Sequence, residues 1–94
     1  MNNHFTVELD KTITKLAGYD LGVSVFENQI KNKVDYMNII TIEFPPRINS
    51  IASSFIQGFF KDIVEEIGIS GIENNVTIVS SITECKEMIV DNLL

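Results

Sequence analysis

Ile39-Ile40-Thr41-Ile42-Glu43-Phe44, closed by Pro45-Pro46, is a β-branched run with almost unbroken apolarity. Branched side chains fit a pleated strand, and the prolines remove backbone donors where pairing must stop. Such a strand reads as a central one, covered on both faces. Downstream, Phe55, Ile56, Phe59, Phe60, Ile63, Val64 and Ile67 recur at i, i+1, i+4, i+5, i+8, i+9 and i+12, a wide apolar helix face. Ser54 with Gln57 has the spacing of a capping box, and Gly68 is a natural terminator. The glycines and asparagines of 68–75 predict a loop, Val76-Thr77-Ile78-Val79 a short strand, and Cys85, Met88, Ile89, Asn92 and Leu93 one face of a last helix. Ser81 with Glu84 offers that helix a second capping box.

Upstream, Phe5-Thr6-Val7-Glu8-Leu9 alternates with the period of a half-buried strand, and Asp10-Lys11 offers a turn. Thr12 to Ala17 alternates again, a short strand that would pair with the first as a hairpin. Tyr19, Val23, Phe26 and Ile30 form one helical stripe, with Asp20 placed to cap it. Gly22-Val23-Ser24-Val25-Phe26 also reads as a strand, so packing must decide. Strands and helices therefore alternate, the pattern of an α/β domain with right-handed crossovers.

At 94 residues the chain is one domain, 1–94, with residues 1–4 expected to be disordered. Thirteen acidic against seven basic residues leave a net charge of −6, which repels nucleic-acid phosphates. The single Cys85 makes no internal disulfide and no cysteine-based metal site. Neither a signal peptide nor an apolar run of spanning length is present, so a soluble, cytoplasmic protein is expected. So small a domain is marginal alone, and a monomer or weak homodimer is expected.

The loop from Pro45 to Ala52 joins the central strand to the best helix, at the strand end where open sheets place their sites. Glu43-Phe44 before the loop and Ala52-Ser53-Ser54-Phe55-Ile56-Gln57-Gly58-Phe59-Phe60 after it resemble the STAS-like domains of unknown function, distant relatives of the anti-sigma-factor antagonists. The specific match covers about thirty residues, and element order extends it to most of the chain. The resemblance implies a STAS-like single domain, a four-stranded mixed sheet with about three helices packed on one side. It also implies a non-enzymatic regulatory module, without cofactor or metal, that binds a histidine-kinase-like ATPase. In the antagonists an Asp-Ser-Ser step presents a phosphoacceptor serine; Ser53 stands at that place and Ser54 beside it. Ala52 replaces the aspartate, and Pro45-Pro46-Arg47 replaces small residues. The docking surface is expected between Pro45 and Lys61, with Pro45, Pro46, Arg47, Gln57, Gly58 and Lys61 contacting the partner.

Each feature also has a plainer reading. Ser53 and Ser54 are good helix caps, and capping leaves Ser53 outside the helix as the more accessible hydroxyl. Arg47, the only arginine, is either a fork for a partner carboxylate or phosphate or a surface charge. Phe55, Phe59 and Phe60 read as core, with an edge of the wide stripe available to a partner. Cys85 reads as a small buried thiol. His4 has no second ligand at metal spacing, and Asp20, Asp62, Glu65 and Glu66 lie on polar faces without an acid–base pairing. A different class of function is a small acidic inhibitor, of phage or mobile-element kind, that blocks a host nucleic-acid-binding complex by presenting carboxylates. Its binding would fade steeply with salt.

Overall fold

The computed structural model describes residues 3–94. Along them run β1 (His4–Thr6), β2 (Lys15–Leu16), α1 (Tyr19–Gln29), β3 (Ile40–Glu43), β4 (Ser50–Ile51), α2 (Ser53–Phe59), α3 (Lys61–Asn75), β5 (Val76–Val79) and α4 (Cys85–Leu93). The strands form two parallel sheets, β1-β3-β5 and β2-β4, in place of the expected four-stranded mixed sheet, and four helices replace the expected three. β3 is central, as its composition implies, with Phe5 opposite Ile42 and Ile78 in one row and His4 opposite Thr41 and Thr77 in the next.

Strand order that follows chain order, with crossovers of one hand, places every connecting helix on the same face. Phe5, Ile40, Ile42 and Val76 point into that helical layer and are buried. His4, Thr6, Thr77 and Val79 point the other way and are exposed, with Thr41 and Glu43 half-buried between them. The expectation that β3 is covered on both faces is therefore corrected. Its apolarity serves one face, and Ile39, at the entrance to the strand, is 61% exposed.

β1 is shorter than the alternation of residues 5–9 suggested. Val7 N–H still donates to Glu43 O (2.8 Å), but β3 then runs into Pro45-Pro46, and Pro45 has no N–H to offer. Glu8 turns to Gln29, whose carboxamide accepts from the Glu8 N–H (2.7 Å) and donates to the Glu8 carbonyl (2.8 Å). The expected hairpin does not form. Lys15 and Leu16 pair with Ser50 and Ile51 instead, flanked by Asn49 N–H to Thr14 O and Ala52 N–H to Leu16 O. β2 leads into α1 and β4 into α2; because those two helices pack side by side in the same direction, the strands that feed them run parallel.

That packing also settles α1 as a helix. Gly22 lies against the Phe55 carbonyl and the Phe59 N–H, and Gly58 lies against the Tyr19 carbonyl, so the two backbones touch where each lacks a Cβ. Gly18, not Asp20, stands at the N-cap, and Asp20 sits in the first turn. The helix expected over 55–67 is broken at Phe60 (φ −92°, ψ 1°), which turns the adjacent rings of Phe59 and Phe60 both inward. The loop expected over 68–75 is helical: Gly68 makes the kink (φ 71°, ψ 174°), a conformation glycine adopts without Cβ strain, and the chain then resumes its helix to bury Ile72. Tertiary burial overrides the local preference of the two asparagines.

All six phenylalanines are buried, Phe55, Phe59 and Phe60 completely, so none leaves an edge for a partner. Of the expected disordered residues, Met1 and Asn2 lie outside the described part. Asn3 donates to the Asp35 and Ile39 carbonyls and accepts from the Asp35 N–H, and His4 belongs to β1.

Candidate docking surface

The serine pair divides its labour. α2 starts at Ser53 with Ala52 as its N-cap, and no side chain caps it, so the Ser54–Gln57 box is not made. Ser54 Oγ instead accepts from the Gly18 N–H (3.0 Å), tying the starts of α1 and α2 together. Ser53 is exposed in the first turn of α2, with Gln57 one turn further along the same side. The second expected box is absent too. Glu84 caps α4 in a left-handed conformation (φ 55°), and the Ser81 hydroxyl donates to Pro46 O at 2.7 Å.

Gln57 and Lys61 line a groove of about 350 Å³ with Val64, Glu65 and the end of α4. Lys61 is not a lone cation there: its ammonium is 3.5 Å from Asp62 and 3.8 Å from Glu65, and Glu65 first, then Asp62, hold its pKa above the ordinary value. Tyr19, expected on the buried stripe of α1, is 43% exposed and close enough to Lys61 to add to that shift. The surface therefore carries an aromatic ring that the stripe pattern had assigned to the core.

Pro45, Pro46 and Arg47 lie elsewhere, in a cleft of about 320 Å³ with Thr6, Glu8, Lys11 and Glu43 at the carboxyl ends of β1 and β3. The expected single surface from Pro45 to Lys61 is thus two. Pro45 is buried, and Gly58 is buried against α1, so neither is open to a partner. Arg47 braces the loops: its Nη2 donates to Leu9 O (2.8 Å) and Asp10 O (3.1 Å), while its Nε is buried without a partner. The Thr12 hydroxyl and N–H hold the Asp10 carboxyl below its usual pKa, and the Arg47 charge adds to this. From the other side, Ser81 grips Pro46 and Ile48. Pro46 alone of this group is exposed.

Arg47→Ala is expected to lower stability by about 1–3 kcal/mol, because two carbonyls lose a charged donor. Arg47→Lys, with one compact charge in place of a fork, should recover only part of it. Urea unfolding measures both. A docking arginine without an internal role would leave the unfolding midpoint unmoved.

Cys85 is buried as expected, and burial pushes its thiol up, away from nucleophilic use. His4 Nε2 lies 2.9 Å from the Glu43 carboxylate, on the sheet face that no helix of the described residues covers. Among the described residues, no group of three or more His, Cys, Asp or Glu side chains is placed to hold a metal ion, and no helix is long and apolar enough to cross a membrane.

Fold and surface together define a small parallel α/β domain with a one-sided helical layer and an exposed serine at the head of α2. Compared with known proteins, the chain matches no family model, no curated protein and no solved structure.

Proposed function

We propose that the chain is a non-enzymatic regulatory binding module of STAS-like kind. It docks a protein partner, a histidine-kinase-like ATPase, through Tyr19, Ser53, Gln57 and Lys61. The observation that carries this reading is the division between the serines: Ser54 is engaged by Gly18, while Ser53 presents its hydroxyl to solvent. In the switch, the ATP γ-phosphoryl bond to ADP breaks and a bond to Ser53 Oγ forms. The hydroxyl proton passes to a base of the kinase, and ADP leaves. The added charge of about −1.5 to −2 falls one turn from Gln57, which shares a groove with Lys61, and weakens docking of a partner that reads those residues.

The test is binding of the full chain to a co-encoded ATPase by calorimetry, with phosphate incorporation followed by mass spectrometry. Ser53→Asp and Gln57→Arg should each weaken binding at least about tenfold, and Ser53→Ala should bind yet take no phosphate. Unchanged binding in both Ser53→Asp and Gln57→Arg would overturn the surface, and phosphate on the Ser53→Ala chain would overturn the acceptor.

The acidic-inhibitor reading finds a cluster at Asp62, Glu65 and Glu66 around Tyr36, whose phenol is pushed up to about 12 by burial and then by Asp62 and Glu66. Lys31 and Lys61 pair with Asp62, and Lys61 with Glu65, so much of that charge is already offset within the chain. Partner binding that persists in high salt separates the docking module from the mimic.

A further inference from the structure

Purely parallel sheets are covered on both faces almost without exception, because the crossovers that build them supply helices to each side. Here all crossovers serve one side, and the other face of β1-β3-β5 is bare among the described residues. Its strand side chains are polar except for Val79, and none but His4 and Glu43 is titratable. His4, Thr41 and Thr77 stand in one row, Thr6, Glu43 and Val79 in the next, and Ile39 lies two residues before Thr41 at the entrance to β3. Ile39 and Val79 are 61% and 43% exposed, and Met37, two residues before Ile39, is 90% exposed.

We propose that this face packs against the same face of a second copy of the chain, about a two-fold axis, as two sheets stacked face to face. Charge selects the occupant. With a net charge of −6, two copies that meet through their acidic helices repel each other. The bare face carries one carboxylate, Glu43, and one imidazole, His4, at 2.9 Å from each other, and its other strand side chains are uncharged. It is the surface on which like can meet like. β-Branched threonine and valine side chains also suit sheet-on-sheet packing, with inner faces about 10 Å apart. The three strands span only about 14 by 13 Å, far less than the ~800 Å² each partner gives a standard interface, so the dimer is of the weak, concentration-dependent class. Ser53 and Gln57 lie in the helical layer, so this association and partner docking are separable.

Sedimentation equilibrium of the full chain from about 10 µM to about 1 mM tests it, a span that reads dissociation constants in the weak class. The weight-average mass should climb from 10.6 kDa toward twice that value and stop there, since an isologous contact closes at two copies. Thr41→Lys, at the centre of the face, and Thr77→Lys, at an exposed position that leaves the core untouched, should each hold the mass at that of a monomer with unchanged far-ultraviolet circular dichroism. Gln57→Arg should associate like the parent. A parent chain that stays monomeric at the highest concentration overturns the proposal. So does a dimer that survives Thr77→Lys, or a mass that rises past two copies.

Discussion

Phe59→Ala is expected to remove about half of the protein's folding stability. Phe59 is wholly buried, and its ring meets four others: Phe60 at 4.9 Å between centroids, Phe55 at 5.6 Å, Phe26 at 5.8 Å and Phe44 at 5.9 Å. Those rings come from α1, from the end of β3, from α2 and from the break before α3, so Phe59 joins the sheet to both crossover helices. Truncation removes the transfer free energy of the ring and leaves a cavity among side chains that other elements hold in place. Such a change costs about 3–5 kcal/mol. A domain of this size has about 5–10 kcal/mol in all, with the lower end expected for a small core. Urea unfolding followed by circular dichroism should show the midpoint fall by about half, while Phe59→Leu, which keeps most of the volume, loses about 1.5 kcal/mol or less. A loss under about 1 kcal/mol for Phe59→Ala would mean that the site collapses freely and that Phe59 is not the junction.

Gly58→Ala should be nearly as damaging, against the sense of helix propensity. Alanine is better than glycine in a helix interior by about 1 kcal/mol, and a substitution judged on α2 alone would be stabilising. Across the helix contact, a Cβ on Gly58 overlaps the Tyr19 carbonyl oxygen and stands 3.1 Å from the Val23 nitrogen. Both are backbone atoms of α1 that no rotamer change can move away. The helices must separate, opening the Phe26–Phe59 contact beside them, at an expected cost of about 3 kcal/mol. Gly22→Ala meets the same obstacle from the other side, at the Phe55 carbonyl and, at 2.7 Å, the Phe59 nitrogen. The double substitution should cost less than the sum of the two, because helices already parted by one methyl accommodate the second. Additive losses would show that the two glycines act through separate contacts.

Much of the architecture is legible in local pattern. The run from Ile39 to Phe44 marks the central strand, the stripe through Phe55, Phe59 and Ile63 marks a helical core face, and Val76 to Val79 marks a third strand, because each is long or apolar enough for burial to dominate. Alternation of these segments implies crossovers, and crossovers imply parallel pairing. The hairpin expectation failed because Lys15-Leu16 and Ser50-Ile51 are two-residue strands. Their pairing is dictated by the helices they feed, which no period in sixteen residues reports. Ser53 is exposed, but as the first residue of α2 and not outside the helix as the capping pattern implied, and the role of Ser54 was not legible at all: its acceptor serves a backbone N–H thirty-six positions away. Arg47 misled for a related reason. As the only arginine in an acidic chain it reads as a surface cation, whereas its fork is used on the carbonyls of a loop thirty-seven and thirty-eight residues distant.

By itself, the sequence determined the central strand in the run from Ile39 to Phe44, the strand at Val76–Val79, the apolar helix face through Phe55, Phe59 and Ile63, and a charge that disfavours nucleic acid, since these follow from composition and period along the chain. Tertiary structure alone decided that the helices of the described residues lie on one face of the sheet, that Gly22 and Gly58 meet, and that of Pro45, Pro46, Arg47, Gln57, Gly58 and Lys61 only Pro46, Gln57 and Lys61 are exposed. Close backbone approach, long-range hydrogen bonds and crossover side are relations between distant segments. Their energies arise only once the segments have been brought together.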